Sequence, residues 1–354
     1  MTLTTTRAQV LAHRLAAHRF DRSTPDPDVL SLGVQDTPYG SARLALAARG
    51  ASTDGLALVW AVRGAPHLHR RADLPALAGA LWPLSDADAA KRIGSSAIKE
   101  GAKLGLAAFE ATAAAFRAAV RAPMPKGAVS AAVSAAIPAE LTFWCATCGS
   151  QHVSGLLFQT AGLFGAVELV PEGGGTTIAP LPEPFPVPAK AAGTAGYLET
   201  FLRLLGPGTP AEAAKFLGTS PTAARPAWTD ADLTEIIVDG VRGWFPTEHV
   251  DALLKAPEPS PMLRLLPPGD PYLQTRNRPF LVPDKAVEKE LWRPLGNPGA
   301  ILLNGEIAGT WRPKLAGRRL DLTVTAFTEL PRTELESEAA LVGEVRGATT
   351  VRLL

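Results

Sequence analysis

Three groupings in this sequence set reactive side chains at spacings that chemistry uses. Cys145 and Cys148 form a Cys-x-x-Cys pair, and His152 follows shortly after. Thiolate and imidazole are proper zinc ligands, but a structural zinc takes four, and only three are in sight with no second Cys-x-x-Cys or His-x-x-x-His behind them. Dithiol redox chemistry has less support, because no βαβ pattern surrounds the pair. His67 and His69 lie two apart after the β-rich run LALVWAV, so in a strand both face one side. Such a pair can grip a phosphate or assist a water, or it is simply a hydrogen-bonded surface pair. Gln35-Asp36-Thr37 stands just before a helix that starts after Pro38, where Thr and Asp are favoured caps; as residues alone, Gln35 and Thr37 read as ordinary cap positions. There is no GxxxxGK[ST], no GxGxxG behind a strand, no HExxH and no GxSxG, so nucleotide hydrolysis, nicotinamide chemistry, zincin and serine-hydrolase activity lose support.

These residues must be held by a folded scaffold, and the composition provides one. The chain has 354 residues, 46% hydrophobic and 19% charged, enough for buried cores in two to four units. Lys and Arg number 35 against 34 Asp and Glu, so any affinity for nucleic acid rests on local clusters. Two stand out: residues 91–126 carry seven basic groups against two acidic ones, and residues 264–319 carry ten against five. Each is either a phosphate-gripping face or a solvated basic surface. The N-terminal residues lack a signal-type apolar run, and no stretch reaches the roughly 18 uninterrupted apolar residues of a membrane helix. A soluble, cytoplasmic protein with no membrane partner is expected, associated with the nucleoid when bound to DNA. Two cysteines exclude a secreted disulfide scaffold and suit a reducing compartment.

Breaks fall at Gly173–Gly175 with the following Pro180–Pro188 stretch, and at Pro257–Pro261. Between them, YLETFLRLLG predicts a helix ending at Gly206. Thr209-Pro210-Ala211-Glu212 predicts a capping box opening a helix closed by Gly218, and Ser220 predicts the cap of a third helix, which carries Pro226 late in its length. DLTEIIVDGVRGWF then predicts a hairpin turning at Asp239-Gly240. Three helices plus a hairpin is the winged-helix order. A looser copy runs through LAAFEATAAAFRAAV, where Phe109, Phe116 and Val120 share a helical face, then KGAVSAAVSAAI, a helix capped by Ser150, and the strand-like FGAVELV. A third covers the N-terminal segment. The expected class is α+β: winged-helix units over residues 1–84, 85–175 and 189–256, then a β-meander or small barrel with a final helix over 260–354. In that last part, Asn304-Gly305 predicts a hairpin, GRRLDLTVTAF a strand and residues 333–345 a helix.

GVQDTPYGSARLALAAR, VWAVRGAPHLHRRADL, RLLPPGDPYLQTRNR and GEIAGTWRPK resemble the AlkZ-like winged-helix DNA glycosylases, a similarity spanning nearly the whole chain and weakest over residues 85–140. The resemblance implies three winged helices and a β-barrel around damaged duplex DNA. The implied chemistry is cofactor-free, metal-independent hydrolysis of the N-glycosidic bond of bulky N7-alkylguanine adducts or crosslinks, often for self-resistance to a DNA-alkylating natural product. The family's catalytic Gln-x-Gln or Gln-x-Asp falls on Gln35-Asp36-Thr37. Gln35 matches and Thr37 departs, since a threonine hydroxyl is a weaker acceptor and no base. Asp36 can substitute only if the loop turns it inward. Arg63 and His67 fall on matching site-lining positions, with His69 where the pattern is looser. Lys126, Arg276, Arg312, Lys314, Arg318 and Arg319 are the expected phosphate contacts, and Trp311 is core or rim packing. A lesion enzyme of this kind acts as a monomer on alkylated double-stranded DNA. The competing readings are a DNA-binding regulator or lesion-sequestering protein without turnover, and a protein-interaction module that binds no DNA.

Overall fold

The two Asx-Gly pairs adopt the geometry their residue types permit. Asp239 and Gly240 have φ of 46° and 82°, and Asn304 and Gly305 have 50° and 94°. Consecutive positive φ values make the two-residue turn that matches strand twist. The first pair joins Leu233–Val238 to Val241–Pro246, and the second joins Gly299–Leu303 to Glu306–Ala316. Ser220 caps the helix Pro221–Asp230 by accepting from the Ala223 amide at 3.2 Å, and Pro226 lies inside that helix. Ser150 is different from expectation: it opens a strand, Ser150–Val153, that pairs antiparallel with Thr142–Cys145. The following helix starts only at Gly155. Pairing wins there because the Val153 amide is taken by Ser134 Oγ at 2.8 Å and the Ser154 amide by the Leu141 carbonyl at 3.2 Å.

The computed structural model describes residues 3–172 and 175–354. Of the Gly173–Gly175 break, Gly173 and Gly174 lie outside them; the flanking strands Val167–Glu172 and Gly175–Pro180 pair antiparallel. The chain forms two compact units that do not follow chain order. One comprises Met1–Asp54, Glu199–Thr209 and Asp232–Leu354; the other comprises Gly55–Leu198 and Pro210–Ala231. Among the described residues no helix is long and apolar enough to cross a membrane.

The first unit holds a five-stranded sheet in the order Leu263–Leu266, Gly299–Leu303, Glu306–Ala316, Arg319–Ala326 and Thr350–Leu353, the last pair parallel. Its outer strands stay unclosed, so it is a half-barrel. Leu335, Ala339 and Val342 of the helix Arg332–Val345 pack with Trp311, Leu320 and Leu322 of the sheet. Trp311 is core: its indole N–H donates to the Leu266 carbonyl at 2.9 Å, and Gly299 is required beneath it because a Cβ there would stand 2.3 Å from the ring. A second sheet places Leu3–Thr5 parallel to Leu233–Val238.

The helix Arg7–Ala17 ties this unit together through polar side chains aimed at one helix end. The last carbonyls of an α-helix lack internal partners. At the end of Thr194–Leu205, His13 meets the Arg203 carbonyl at 3.2 Å, His18 Nε2 the Leu204 carbonyl at 3.0 Å, and Arg14 donates to the Leu205 and Gly206 carbonyls. His18 Nδ1 accepts from Arg49 at 3.0 Å, so its ring is neutral; burial first, and Arg49 second, hold it well below the ordinary histidine range. Arg49 in turn makes a bidentate pair with Asp270, 2.8 Å on each arm, with both side chains fully buried.

The second unit is built on aromatics. Trp82 packs against Phe109 and Phe164, and Trp60 against Phe116 and Phe158. Its hairpin Leu56–Trp60 and Pro66–Arg70 puts His67 and His69 on one face, ring centroids 6.2 Å apart. Both are buried, which corrects the surface-pair reading. His67 Nδ1–H donates to the Ala65 carbonyl at 2.8 Å, and burial pushes its pKa down to about 4.

Two outcomes follow. Truncating Arg49 to Leu strands the Asp270 charge and should cost about 3–5 kcal/mol in urea unfolding, with part of that recovered in the Arg49→Leu, Asp270→Leu double variant. Additive single-variant losses would show that the pair does not act as a unit. Histidine in the unfolded chain takes its proton near pH 6.5, whereas folded His67 takes it only near 4. Stability present above about pH 6.5 is therefore lost as pH falls through this window, roughly 2 kcal/mol from His67 by about pH 5, with His18 acting in the same direction. Urea midpoints that do not fall between about pH 7.5 and pH 5, or a His67→Gln variant that falls as far as wild type, would contradict this.

Candidate active site

Gln35 ends the short strand Val34–Gln35, with Val34 buried beneath it and Gln35 half-buried. Its Oε1 accepts from Gln274 Nε2 at 3.0 Å. Gln274 also reaches the Gly269 carbonyl at 3.4 Å, so the Gln35 amide is braced from the Pro271–Gln274 turn. Sequence reasoning did not single out Gln274. The only available signal was its place in PYLQTRNR, directly after Gly269-Asp270-Pro271-Tyr272-Leu273.

That turn is set by the residues around it. Asp270 accepts from the Tyr272 amide at 2.9 Å and from Arg49, and the Tyr272 hydroxyl donates to the Gly305 carbonyl at 3.0 Å. Gly269 has φ of +81°, and a Cβ there would stand 2.8 Å from the Thr37 carbonyl. Glycine is thus needed twice over, for backbone angle and for close approach. The segments around Gln35-Asp36-Thr37 and Gly269-Asp270 meet within the first unit.

Asp36 is half-buried and turned toward the helix Ser41–Ala47, where its Oδ1 accepts from the Ala42 amide at 2.9 Å and the carboxylate also takes the Gly40 amide. Burial outweighs these bonds and raises its pKa above the ordinary carboxylate value. Thr37 is exposed and precedes a cis bond to Pro38. An amide fixed by a second amide can orient a water through its remaining acceptor lone pair, with no change of charge.

Arg63, His67 and His69 belong to the second unit. Arg63 sits at φ 59°, ψ 22° in the turn between Leu56–Trp60 and Pro66–Arg70. It donates to the Phe216 carbonyl, stacks over the Phe216 ring at 5.6 Å and lines a cavity of about 250 Å³ with Trp60, Arg92, Phe109 and Phe164. Burial lowers its pKa from the usual arginine value. His67 and His69 are buried beside it in sequence, as described above.

The expected phosphate contacts separate by setting. Arg312, Lys314, Arg318 and Arg319 are all exposed on the Glu306–Ala316 and Arg319–Ala326 hairpin. Cross-strand register sets Lys314 opposite Asp321 and Ala316 opposite Arg319, while Arg352 stands opposite Asp321 on the far side. Four cations, Arg312, Lys314, Arg319 and Arg352, thereby share a sheet face with one carboxylate. Arg352 donates to Asp321 at 2.8 Å and holds its carboxyl below the ordinary range. Arg352 escaped the sequence reading because only strand pairing brings it there. Lys126 is exposed at the start of the helix Lys126–Ala136, 5.7 Å from the centre of the Trp60 ring. Arg276 is half-buried just beyond Gln274.

A family model for "DNA glycosylase AlkZ-like" matches residues 31–347. Among solved structures, Streptomyces sahachiroi DNA glycosylase AlkZ superposes with a TM-score of 0.72 at 20% identity, covering 99% of this chain and 100% of that one. At that identity the likeness is one of fold. No curated protein matches the chain. The match over residues 31–347 takes in both the Gln35 segment and its Gln274 brace, and the chain belongs to the AlkZ-like DNA glycosylase family.

Proposed function

We propose that the protein is a monofunctional, metal-independent DNA glycosylase that removes bulky N7-alkylguanine or resolves crosslinks at that position, in the service of self-resistance to an alkylating natural product. The observation that carries this reading is the Gln35 amide held at 3.0 Å by Gln274 in a member of a DNA glycosylase family. Alkylation at N7 makes guanine cationic. When the glycosidic bond breaks, its electron pair neutralises the departing base, so no acid is needed on the leaving group. Water then adds to the positively charged sugar carbon left behind and gives up a proton to the surrounding solvent. Gln35 holds that water through its free lone pair, and the Thr37 hydroxyl supplies a second acceptor. Asp36, occupied with the Ser41–Ala47 helix, fixes the direction of the loop.

In this reading the winged-helix segments over residues 1–84, 85–175 and 189–256, with the C-terminal half-barrel, hold alkylated double-stranded DNA as a monomer in the cytoplasm. The Arg312, Lys314, Arg319 and Arg352 face grips phosphate, aided by Arg318 in the adjoining turn and by Lys126 and Arg276. Arg63 and His67 contribute by fixing the turn after Trp60, where each donates to a backbone carbonyl, and His69 packs beside them.

One observation favours a second reading. Thr37 is exposed and stands where the family motif carries an amide or carboxylate, which fits a protein that binds lesions without turnover.

Single-turnover release of base from duplexes carrying small or bulky N7-alkylguanine separates the two. Wild type should leave abasic sites, Gln35→Ala should slow release by about 100-fold or more, and Gln274→Ala by about 10-fold with unchanged DNA affinity. Bound DNA with no base released from any substrate would establish the second reading instead. For the cationic face, Arg312→Ala and Lys314→Ala should each reduce the slope of log affinity against log salt by about 1. An unchanged slope in both would remove that face from the DNA contact.

A further inference from the structure

The tip of the Thr142–Cys145 and Ser150–Val153 hairpin gathers chemistry that base excision does not use. Cys145, Cys148 and His152 each bring one ligand atom, and these atoms lie within 4.8 Å of one another. Tetrahedral zinc with bonds of about 2.0–2.3 Å needs its ligand atoms roughly 3.5–4 Å apart, so the three need only a small inward movement to meet one ion. They come from a turn and a strand whose backbone is already set. The amides of Thr147 and Cys148 donate to the Cys145 sulfur, which satisfies that sulfur in the way a thiolate requires. The Gly149 amide donates to the Cys145 carbonyl at 2.9 Å, and Gly149 takes φ of +60°, closing the turn so that Cys148 folds back beside Cys145. Register then fixes His152, which stands opposite Phe143, two positions along the hairpin from the Cys145–Ser150 pair. Ser150 Oγ lies 3.3 Å from His152 Nε2, an outer contact that can orient the ring. Both cysteines are free thiols, Cys148 exposed and Cys145 half-buried.

We propose that Cys145, Cys148 and His152 form a zinc site with three protein ligands, its fourth position taken by water. Soft thiolates with one imidazole select zinc over magnesium or calcium, which prefer oxygen. The position left to solvent makes it weaker than a closed four-ligand site and open to chelators. The ion ties the turn 145–149 to the second strand. It thereby fixes the tip next to Trp144, an indole 62% exposed to solvent.

The full-length protein, reduced and stripped with a chelator, is titrated with zinc against a chromophoric competitor, and in parallel with cobalt. We expect about one zinc per chain, and a cobalt spectrum carrying thiolate charge-transfer absorption. Cys148→Ser should weaken binding by at least about 100-fold and His152→Ala by at least about 10-fold. Neither change should alter the metal-free thermal midpoint, because the tip lies outside the buried core. Amide hydrogen exchange over residues 142–153 should slow when zinc is added to wild type and stay unchanged in Cys148→Ser. Reduced protein that takes up no zinc at micromolar levels overturns the proposal. So does binding that survives Cys148→Ser at full affinity, or a cobalt complex without thiolate absorption.

Discussion

The fully buried Arg49–Asp270 pair is the constraint on which the first unit's geometry depends. It spans 221 residues of sequence and recruits partners from several elements of that unit. Arg49 uses one arm on the Ala45 carbonyl and Asp270, the other on Asp270 and His18, with its guanidinium 4.3 Å over the Phe20 ring. Asp270 spends its remaining capacity on the Tyr272 amide. A buried pair of this kind adds little net stability over a well-packed apolar one, because desolvation offsets attraction. Its contribution is positional: the turn can sit in only one way, and in that position Gly269 lies against Thr37 and Gln274 against Gln35.

What was legible in the sequence was local. Asp239-Gly240 and Asn304-Gly305 announced their turns because few residue pairs accept two positive φ angles. Ser220 announced a cap and Phe109 and Phe116 a buried helical face. Ser150 misled because Ser opens strands as well as helices, and the deciding bonds come from Ser134 and Leu141, which no window around Ser150 contains. The site was half legible. Family resemblance marked Gln35 and the Gly269-Asp270 segment, but nothing local ties Gln274 to Gln35 across 239 positions. His67 and His69 were placed on a common face correctly by strand alternation, while their burial depended on what covers that face. Arg352 joined the cationic face only through a parallel strand pairing that has no sequence signature.

A near-neutral chain is compatible with DNA binding because charge acts locally. Formal net charge is +1, yet the Glu306–Ala316 and Arg319–Ala326 hairpin with the adjoining strand Thr350–Leu353 presents four cations around Asp321. The single carboxylate is not a defect in this face. It pairs with Arg352 at 2.8 Å and Arg319 at 3.4 Å, limiting their freedom. Cations restrained in advance lose less entropy on binding, at the expense of a weaker field.

The same logic of restraint bears on the departure at Thr37. A carboxylate in its place would add a base and offset positive charge developing on the sugar, whereas a threonine hydroxyl offers only a weak acceptor. In the proposed reaction the task left to Gln35 is to keep a water on the correct side of the sugar, and positioning alone can supply several kcal/mol of a barrier. Positioning depends on rigidity more than on basicity. Gln35 derives its rigidity from Gln274, Gln274 from a turn anchored by Asp270, and Asp270 from Arg49. A loss of base strength at position 37 therefore leaves the bracing of the Gln35 amide unchanged.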